Sequence, residues 1–399
     1  MKLTVLFTLL MALNLNAQNL AEILDVLKTS KKVQVILEKT KSNVAQNELK
    51  SLNKAPELGF NISHAKDSDD SGLEYAIGFS QTLSHPFSTS SRDSGVKYLE
   101  KAIEQSSKYQ LHILELEVAS RYHKTCVSKE MRNKSKLLFI EQSKRFEQLQ
   151  KAYDLGEISR KNLLFNKLDL VKLKQKLSAN KKTYLVELLN LQESVEGMSI
   201  SKVSCDDLFP LLRNVELKDI SEHRELKEIE YKQNSSKAFY NMYDSFFDSL
   251  GYELMYEQEL DTKRYSVGIS IPIGSLSLQK EKQKVHYLHM NSAYIAQKVA
   301  RQEHINNVSN LLQLKLQVLY SDYMLLELNI LPLNLELVEL SKSAYTEGEG
   351  TIMEYLDATR SYSENLLEML EIKKNYYKEL FELYKKADLK LGEIYEKID

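Results

Sequence analysis

Tryptophan is absent from this 399-residue chain, and only 5 prolines and 12 glycines punctuate it. So few breakers disfavour the many short loops of a soluble α/β enzyme and favour long helices. No Gly-rich phosphate loop and no G-x-S-x-G nucleophile turn is present. Carboxylates are numerous, but they fall on charged helix faces, and no pair stands apart as acid and base. The expectation is therefore that the chain is not an enzyme. The formal net charge of −2 gives no bulk reason to expect nucleic acid as a partner. Beyond residue 17 no apolar run is long enough for a membrane helix. A β-barrel remains open to such a chain.

What is present begins with a secretion signal. Lys2 precedes an apolar core from Leu3 to Leu13, and Ala17 offers a small residue for cleavage. The core is too short to span a bilayer as a helix. Residues 1–17 thus read as a signal peptide. No cysteine follows the cleavage site, so no lipid anchor is indicated.

The mature chain repeats itself once. Tyr153-Asp154-Leu155-Gly156-Glu157 recurs as Tyr345-Thr346-Glu347-Gly348-Glu349, an offset of 192 residues. Leu58-Gly59-Phe60 recurs as Leu250-Gly251-Tyr252 at the same offset of 192. Tyr75 to Ser80 recurs as Tyr265 to Ser270 at 190. Three matches in one order indicate a tandem duplication. The repeats run 18–205 and 206–399. Each has a helix, two strands and a long helical hairpin.

The strand segments alternate with period two. Tyr75, Ile77, Phe79 and Leu83 interleave with Ala76, Gly78, Ser80 and Thr82. Tyr265, Val267, Ile269, Ile271 and Ile273 interleave with Arg264, Ser266, Gly268 and Ser270. Leu58, Phe60 and Ile62 behave likewise, as do Leu250, Tyr252, Leu254 and Tyr256. One face is apolar and the other small or polar, the pattern of a barrel strand with lipid outside and water inside. The polar stretches 66–70 and 259–261 read as hairpin loops.

The helices are long. The first amphipathic helices are expected over Leu20 to Leu52 and Ile220 to Phe247. The outgoing helix from Arg92 to Tyr153 spans roughly 90 Å at 1.5 Å per residue. Its repeat, Ser275 to Tyr345, holds Pro332 and should kink there. The returning helices are expected over Arg160 to Glu196 and Ile352 to Ile394. Their broken apolar stripes, with charge on the remaining faces, call for antiparallel coiled-coil packing.

Ile330-Leu331-Pro332-Leu333, then Ala344 to Glu349, then Leu356-Asp357-Ala358-Thr359-Arg360 resembles the second-repeat hallmark of the TolC-type outer-membrane efflux proteins. The segments Tyr75 to Leu83, Tyr265 to Ile273 and Asn19 to Leu37 resemble that family's strands and first helix. The resemblance implies a mainly α chain with membrane β. Four strands from each subunit would enter a trimeric twelve-strand barrel, continued by an α-helical coiled-coil periplasmic tunnel. It implies a passive exit duct in the bacterial outer membrane, with its helical part in the periplasm. The implied partners are outer-membrane lipid, a periplasmic adaptor (a membrane fusion protein) and an inner-membrane pump of the resistance-nodulation-division or ABC type. No cofactor is implied. The three-copy expectation also has a physical basis. Four strands cannot close a conducting barrel, and unpaired backbone groups in lipid each cost several kcal/mol. Two departures stand out: Gly350 replaces Ile158 of the first turn, and little chain follows Ile394.

The resemblance places adaptor docking at Gly156, Gly348 and Gly350. Asp154, Glu157, Glu347 and Glu349 beside these turns, with Asp169, Asp357 and Arg360 on the helices leaving them, are the candidates for a periplasmic gate. Threefold symmetry would turn each carboxylate into a ring. Tyr75, Ile77, Phe79, Tyr265, Val267, Ile269 and Ile271 are the lipid-facing candidates. His286 and His289, at i, i+3, are a weak metal pair, with two solvated histidines as the favoured reading. Some proteins of the resembled family export metal ions, so heavy-metal ions and small toxic compounds both stand as cargo classes. Cys126 and Cys205 are favoured as free thiols, because a bridge requires the chain after Glu196 to fold back. The alternative to a duct is a structural periplasmic coiled-coil protein without transport activity.

Overall fold

The computed structural model describes residues 17–66, 71–196, 199–244, 249–271 and 278–391. The signal segment before Ala17, the first strand loop at 67–70, Ile273 and the tail after Ile394 lie outside the described residues. The helices are α1 (Leu20–Lys28), α2 (Lys31–Glu48), α3 (Pro86–Asp154), α4 (Arg160–Ser194), α5 (Arg224–Tyr243), α6 (Leu278–Leu325), α7 (Leu331–Glu347) and α8 (Ile352–Lys386). The strands are β1 (Glu57–Lys66), β2 (Ser71–Ser84), β3 (Ser249–Gln258) and β4 (Lys263–Ser270).

Local chemistry explains where the boundaries differ from expectation. The helix expected over Leu20 to Leu52 is two helices. Thr29 Oγ1 bonds back to the Val26 carbonyl at 3.0 Å, and Ser30 Oγ accepts from the Val33 amide at 3.4 Å. Hydroxyls that offer the backbone such alternatives break a helix. The long outgoing helix starts at Pro86 rather than Arg92, because proline suits the first helical turn. Pro332 is preceded by a π-helical segment, Leu326–Ile330, which accommodates its missing amide without ending the rod. α8 stops at Lys386, where Asp388 turns left-handed at φ 54° and the Leu389 amide bonds to the Tyr384 carbonyl at 3.0 Å.

The described residues form two compact units, and each draws on both sequence repeats. One gathers those of Ile36–Tyr109 and Ile220–His304, the other those of Met1–Val35, Gln110–Asp219 and Ile305–Asp399. The first holds all four strands in one antiparallel meander, β1-β2-β3-β4. Register decides the facing. Leu58 pairs with Phe79, Phe60 with Ile77 and Ile62 with Tyr75. Ile77 then pairs with Tyr256 and Phe79 with Leu254, and Leu254 with Val267 and Tyr252 with Ile269. Directly paired residues share a face, so the rows Phe60-Ile77-Tyr256-Tyr265 and Leu58-Phe79-Leu254-Val267 form an apolar band across the sheet, with Gln81, Gln258 and Lys263 at its margins. The other face carries Asn61, Ala76, Gly78, Ser80, Gly251, Glu253, Ser266 and Gly268. Helices α5 and α6 also pack in this unit. The Phe239 and Tyr287 rings stack at 5.3 Å, Arg301 Nε meets Glu225 Oε2 at 2.8 Å, and Lys298 meets Glu230 at 2.8 Å.

The second unit holds the main core and the junction between the repeats. That junction folds back, and Cys126 and Cys205 are disulfide-bonded, with Cα atoms 5.5 Å apart. The free-thiol expectation is thereby corrected. The returning segment adds a parallel bridge from Gln18 to Val203, and Val203, Phe209 and Val215 are buried. An irregular buried segment needs partners for its backbone, and aromatic side chains supply them. Tyr122 Oη accepts from the Cys205 amide at 3.1 Å. Tyr376 Oη accepts from the Leu212 amide at 2.8 Å and donates to the Leu212 carbonyl at 3.0 Å. Tyr377 Oη donates to the Phe209 carbonyl at 2.5 Å.

His123 completes this clamp. Its Nε2 accepts from the Phe209 amide at 3.0 Å, so its Nδ1 carries the proton and donates to the Ala119 carbonyl at 2.8 Å. The rings of Phe209, Tyr377 and Phe381 surround it at 4.5, 4.8 and 4.9 Å. Burial lowers its pKa from 6.5 to about 4. The folded state therefore favours the neutral ring, and protonation of the unfolded chain pulls against folding below pH 6.5. Stability from this group is full above about 6.5 and is lost as pH falls to about 4. The loss is on the order of 3 kcal/mol. Helical melts between pH 7 and 4 are expected to show it, and His123→Gln is expected to flatten the slope between 6.5 and 5. An unchanged slope in that variant would assign the acid sensitivity to other groups.

Candidate functional site

The two hairpin turns share the same pair of helix-ending bonds. In the first, the Gly156 amide donates to the Tyr153 carbonyl at 2.9 Å and the Glu157 amide to Ala152 at 2.8 Å. In the second, the Gly348 amide donates to Tyr345 at 3.3 Å and the Glu349 amide to Ala344 at 2.9 Å. This pair of bonds is the Schellman motif, which needs a left-handed residue after the helix. Gly156 and Gly348 supply it, with φ 79° and 77°. Ser159 then caps α4 through the Asn162 amide at 3.2 Å. Thr351 caps α8 in a capping box with Glu354. The 192-residue offset of the sequence repeat thus returns in the hydrogen bonds.

The three candidate glycines differ in what they do within the chain. A Cβ on Gly156 or Gly348 would meet nothing within 4 Å, so these two serve backbone conformation and leave open space at the tip. A Cβ on Gly350 would lie 2.9 Å from Ala344 Cβ, so that glycine serves close approach. The two turns share a small core of Leu149, Leu163, Ile352 and Leu356, with Tyr153, Ile158 and Tyr345 against it. Arg145 lies over the Tyr355 ring at 4.6 Å, joining α3 to α8.

Among the seven gate candidates, the structure brings three charged residues together, Arg360 with Asp169 and Asp357. Arg360 on α8 donates to Asp169 Oδ2 on α4 through Nε at 3.2 Å and Nη2 at 2.5 Å, and to Asp357 Oδ1 through Nη1 at 2.9 Å. The Asp169 side chain is only 14% exposed, whereas Asp357 is 59% exposed. A cavity of about 60 Å³ adjoins them, lined also by Gln142, Lys172, Leu173 and Glu364. The other four stand apart. Asp154 accepts from Gln150 at 3.0 Å, Glu347 accepts from Ser343 at 3.4 Å, and Glu157 and Glu349 contribute their amides to the turns.

The strand candidates share one outward face. Tyr75, Ile77, Phe79, Tyr265, Val267, Ile269 and Ile271 are all exposed, Tyr265 at 78% and Ile269 at 71%. The outer edges of β1 and β4 have no partner strand among the described residues. No described helix is long and apolar enough to cross a membrane. His286 and His289 are exposed on α6. No described group of three or more His, Cys, Asp or Glu residues is placed to hold a metal. Sequence reading missed His123 and the tyrosines that clamp the repeat junction. Their only signal is a histidine and paired tyrosines within otherwise apolar helix faces.

The fold is thus a single chain with two Gly-turned helical hairpins and a four-stranded antiparallel sheet, mostly apolar on one face. Solved structures share it. A membrane protein from Pseudomonas aeruginosa superposes with a TM-score of 0.78 at 12% identity, over 92% of this chain and 90% of that one. CusC, whose structures concern folding and transmembrane channel formation, gives 0.74 at 13%, over 92% and 91%. The open state of the Neisseria gonorrhoeae MtrE outer membrane channel gives 0.70 at 14%, over 93% and 89%. No protein-family model matches the sequence, and no curated protein does either.

Proposed function

We propose that the chain is a non-enzymatic subunit of an outer-membrane efflux channel, which passes cargo from a pump and adaptor to the exterior. The observation that carries this reading is the sheet. Its apolar face suits lipid, its small and polar face suits a water-filled lumen, and its two edges, open among the described residues, call for further strands. Three copies would supply twelve strands, a number that closes a wide barrel. A structural coiled-coil protein has no use for such a face, so the duct is favoured over it. The localisation follows: barrel in the outer membrane, helical hairpins in the periplasm.

The turns at Gly156 and Gly348 are the proposed adaptor contact, supported by the open space at both and by the 75% exposure of Leu155 beside the first. Arg360, Asp169 and Asp357 form the proposed gate latch. Each such partly exposed pair contributes only about 0–1 kcal/mol, and threefold repetition makes it a weak, reversible closure. Heavy-metal ions and small toxic compounds remain the proposed cargo classes.

Purified protein is expected to be trimeric in detergent and to conduct in planar bilayers. Arg360→Ala leaves Asp169 and Asp357 without their cation and is expected to raise single-channel conductance. Unchanged conductance would remove Arg360 from the gate. A stable monomer without channel activity would overturn the channel reading itself.

A further inference from the structure

Helix α4 of the first hairpin and residues 322–347 of the second carry opposite charge on exposed side chains. Helix α4 holds eight bases and three acids in its 35 residues. Residues 322–347 hold five acids, Asp322, Glu327, Glu336, Glu339 and Glu347, and one base, Lys342. Both stretches interleave these charges with exposed aliphatic side chains: Leu164, Leu168 and Val171 on α4, and Leu333, Leu337 and Leu340 on α7. Lys167, Lys174 and Lys181 recur every seven residues and so form one line along α4. Among the described residues, none of these lysines, nor Asp322, Glu327 or Glu336, enters an ion pair within the chain, and Glu327 accepts only from Tyr323 at 3.0 Å.

The levels of the two stripes also match. The turns share one small core and so lie side by side. Lys167 stands 11 residues past Gly156, and Glu336 stands 12 before Gly348. Lys174 stands 18 past the first turn, and Glu327 21 before the second. Lys181 stands 25 past, and Asp322 26 before. At 1.5 Å per residue, opposite charges therefore fall at nearly equal distances from the turns, roughly 17 Å and 38 Å for the first and last pairs.

We infer that the basic, leucine-bearing stripe of α4 docks against the acidic, leucine-bearing stripe of residues 322–347 on a second copy of this chain. The inference rests on the multi-copy duct reading and adds which surfaces meet. Because the stripes differ, the contact is head-to-tail, and a rotation that closes makes a ring. Leucine burial supplies the attraction, and the charge pattern fixes register and excludes contact between two like stripes.

Charge reversal tests it. One variant carries Lys167→Glu, Lys174→Glu and Lys181→Glu; a second carries Asp322→Lys, Glu327→Lys and Glu336→Lys; a third carries all six. Each single-stripe variant is expected to lower the trimer fraction in low-salt detergent by about tenfold or more. High salt, which shortens the screening length, is expected to recover part of the loss. The six-fold swap is expected to restore trimers, and the helical content of the three variants at room temperature should coincide. If both single-stripe variants stay trimeric, or the swap fails to restore assembly, the docking inference is overturned while the trimeric channel stands. It is overturned equally if the single-stripe variants stay trimeric but lose export, since the stripes would then serve another partner. A monomeric, non-conducting wild type would overturn the channel reading and, with it, this inference.

Discussion

Replacing Cys126 and Cys205 by serine is expected to destabilise the unit that contains them by about 2–5 kcal/mol. The bridge spans 79 residues, and closing a loop of that length removes about 4–5 kcal/mol of chain entropy from the unfolded state in the entropic account. The geometry adds a local reason. Cys205 sits at φ 68°, a left-handed conformation that a non-glycine residue adopts only when its surroundings impose it. The bridge also anchors the segment that Tyr122, His123, Tyr376 and Tyr377 clamp through its backbone. Losing the anchor exposes those buried amides and carbonyls to competition from water. Thermal melts of the double-serine variant, and of native protein with and without reductant, check this. Coincident curves in all three would show that the aromatic clamp suffices alone.

Ile269→Arg is expected to deplete assembled trimers from the outer membrane, whereas Ser266→Arg is expected to be tolerated. Ile269 pairs with Tyr252 on the apolar face, and Ser266 pairs with Met255 on the opposite one. A cation on the lipid face at the bilayer midplane costs about 2–4 kcal/mol, and lumen substitutions alter selectivity instead. Three copies multiply the cost of the first variant. The check is the amount of heat-modifiable trimer in outer-membrane fractions of cells expressing each variant. Equal depletion by both would mean that the sheet has no lipid side, and depletion by Ser266→Arg alone would reverse the facing.

Much of the fold was legible because it rests on local and periodic signals. Period-two alternation marked all four strands, since successive side chains in a strand must oppose each other. Glycine at the hairpin turns was legible because only left-handed backbone ends a helix there, and φ 79° at Gly156 and 77° at Gly348 bear that out. Helix boundaries were less legible. The Thr29-Ser30 break depends on hydroxyls that can bond either back to the helix or outward. The π-helical segment before Pro332 depends on neighbouring turns absorbing a missing amide.

The sequence by itself determined the strand alternation and the turn chemistry, because each is written in residues close together in the chain, and it showed the repeat through short motifs recurring in one order. Only the tertiary structure decided the Cys126–Cys205 bridge, since it requires residues 199–215 to return onto α3 and α8, and no local pattern encodes that return. It alone decided that Arg360 meets Asp169, 191 residues away. It alone placed His123 neutral among three aromatic rings. Contacts between distant residues depend on how packed faces meet, and that geometry exists only once the helices have come together.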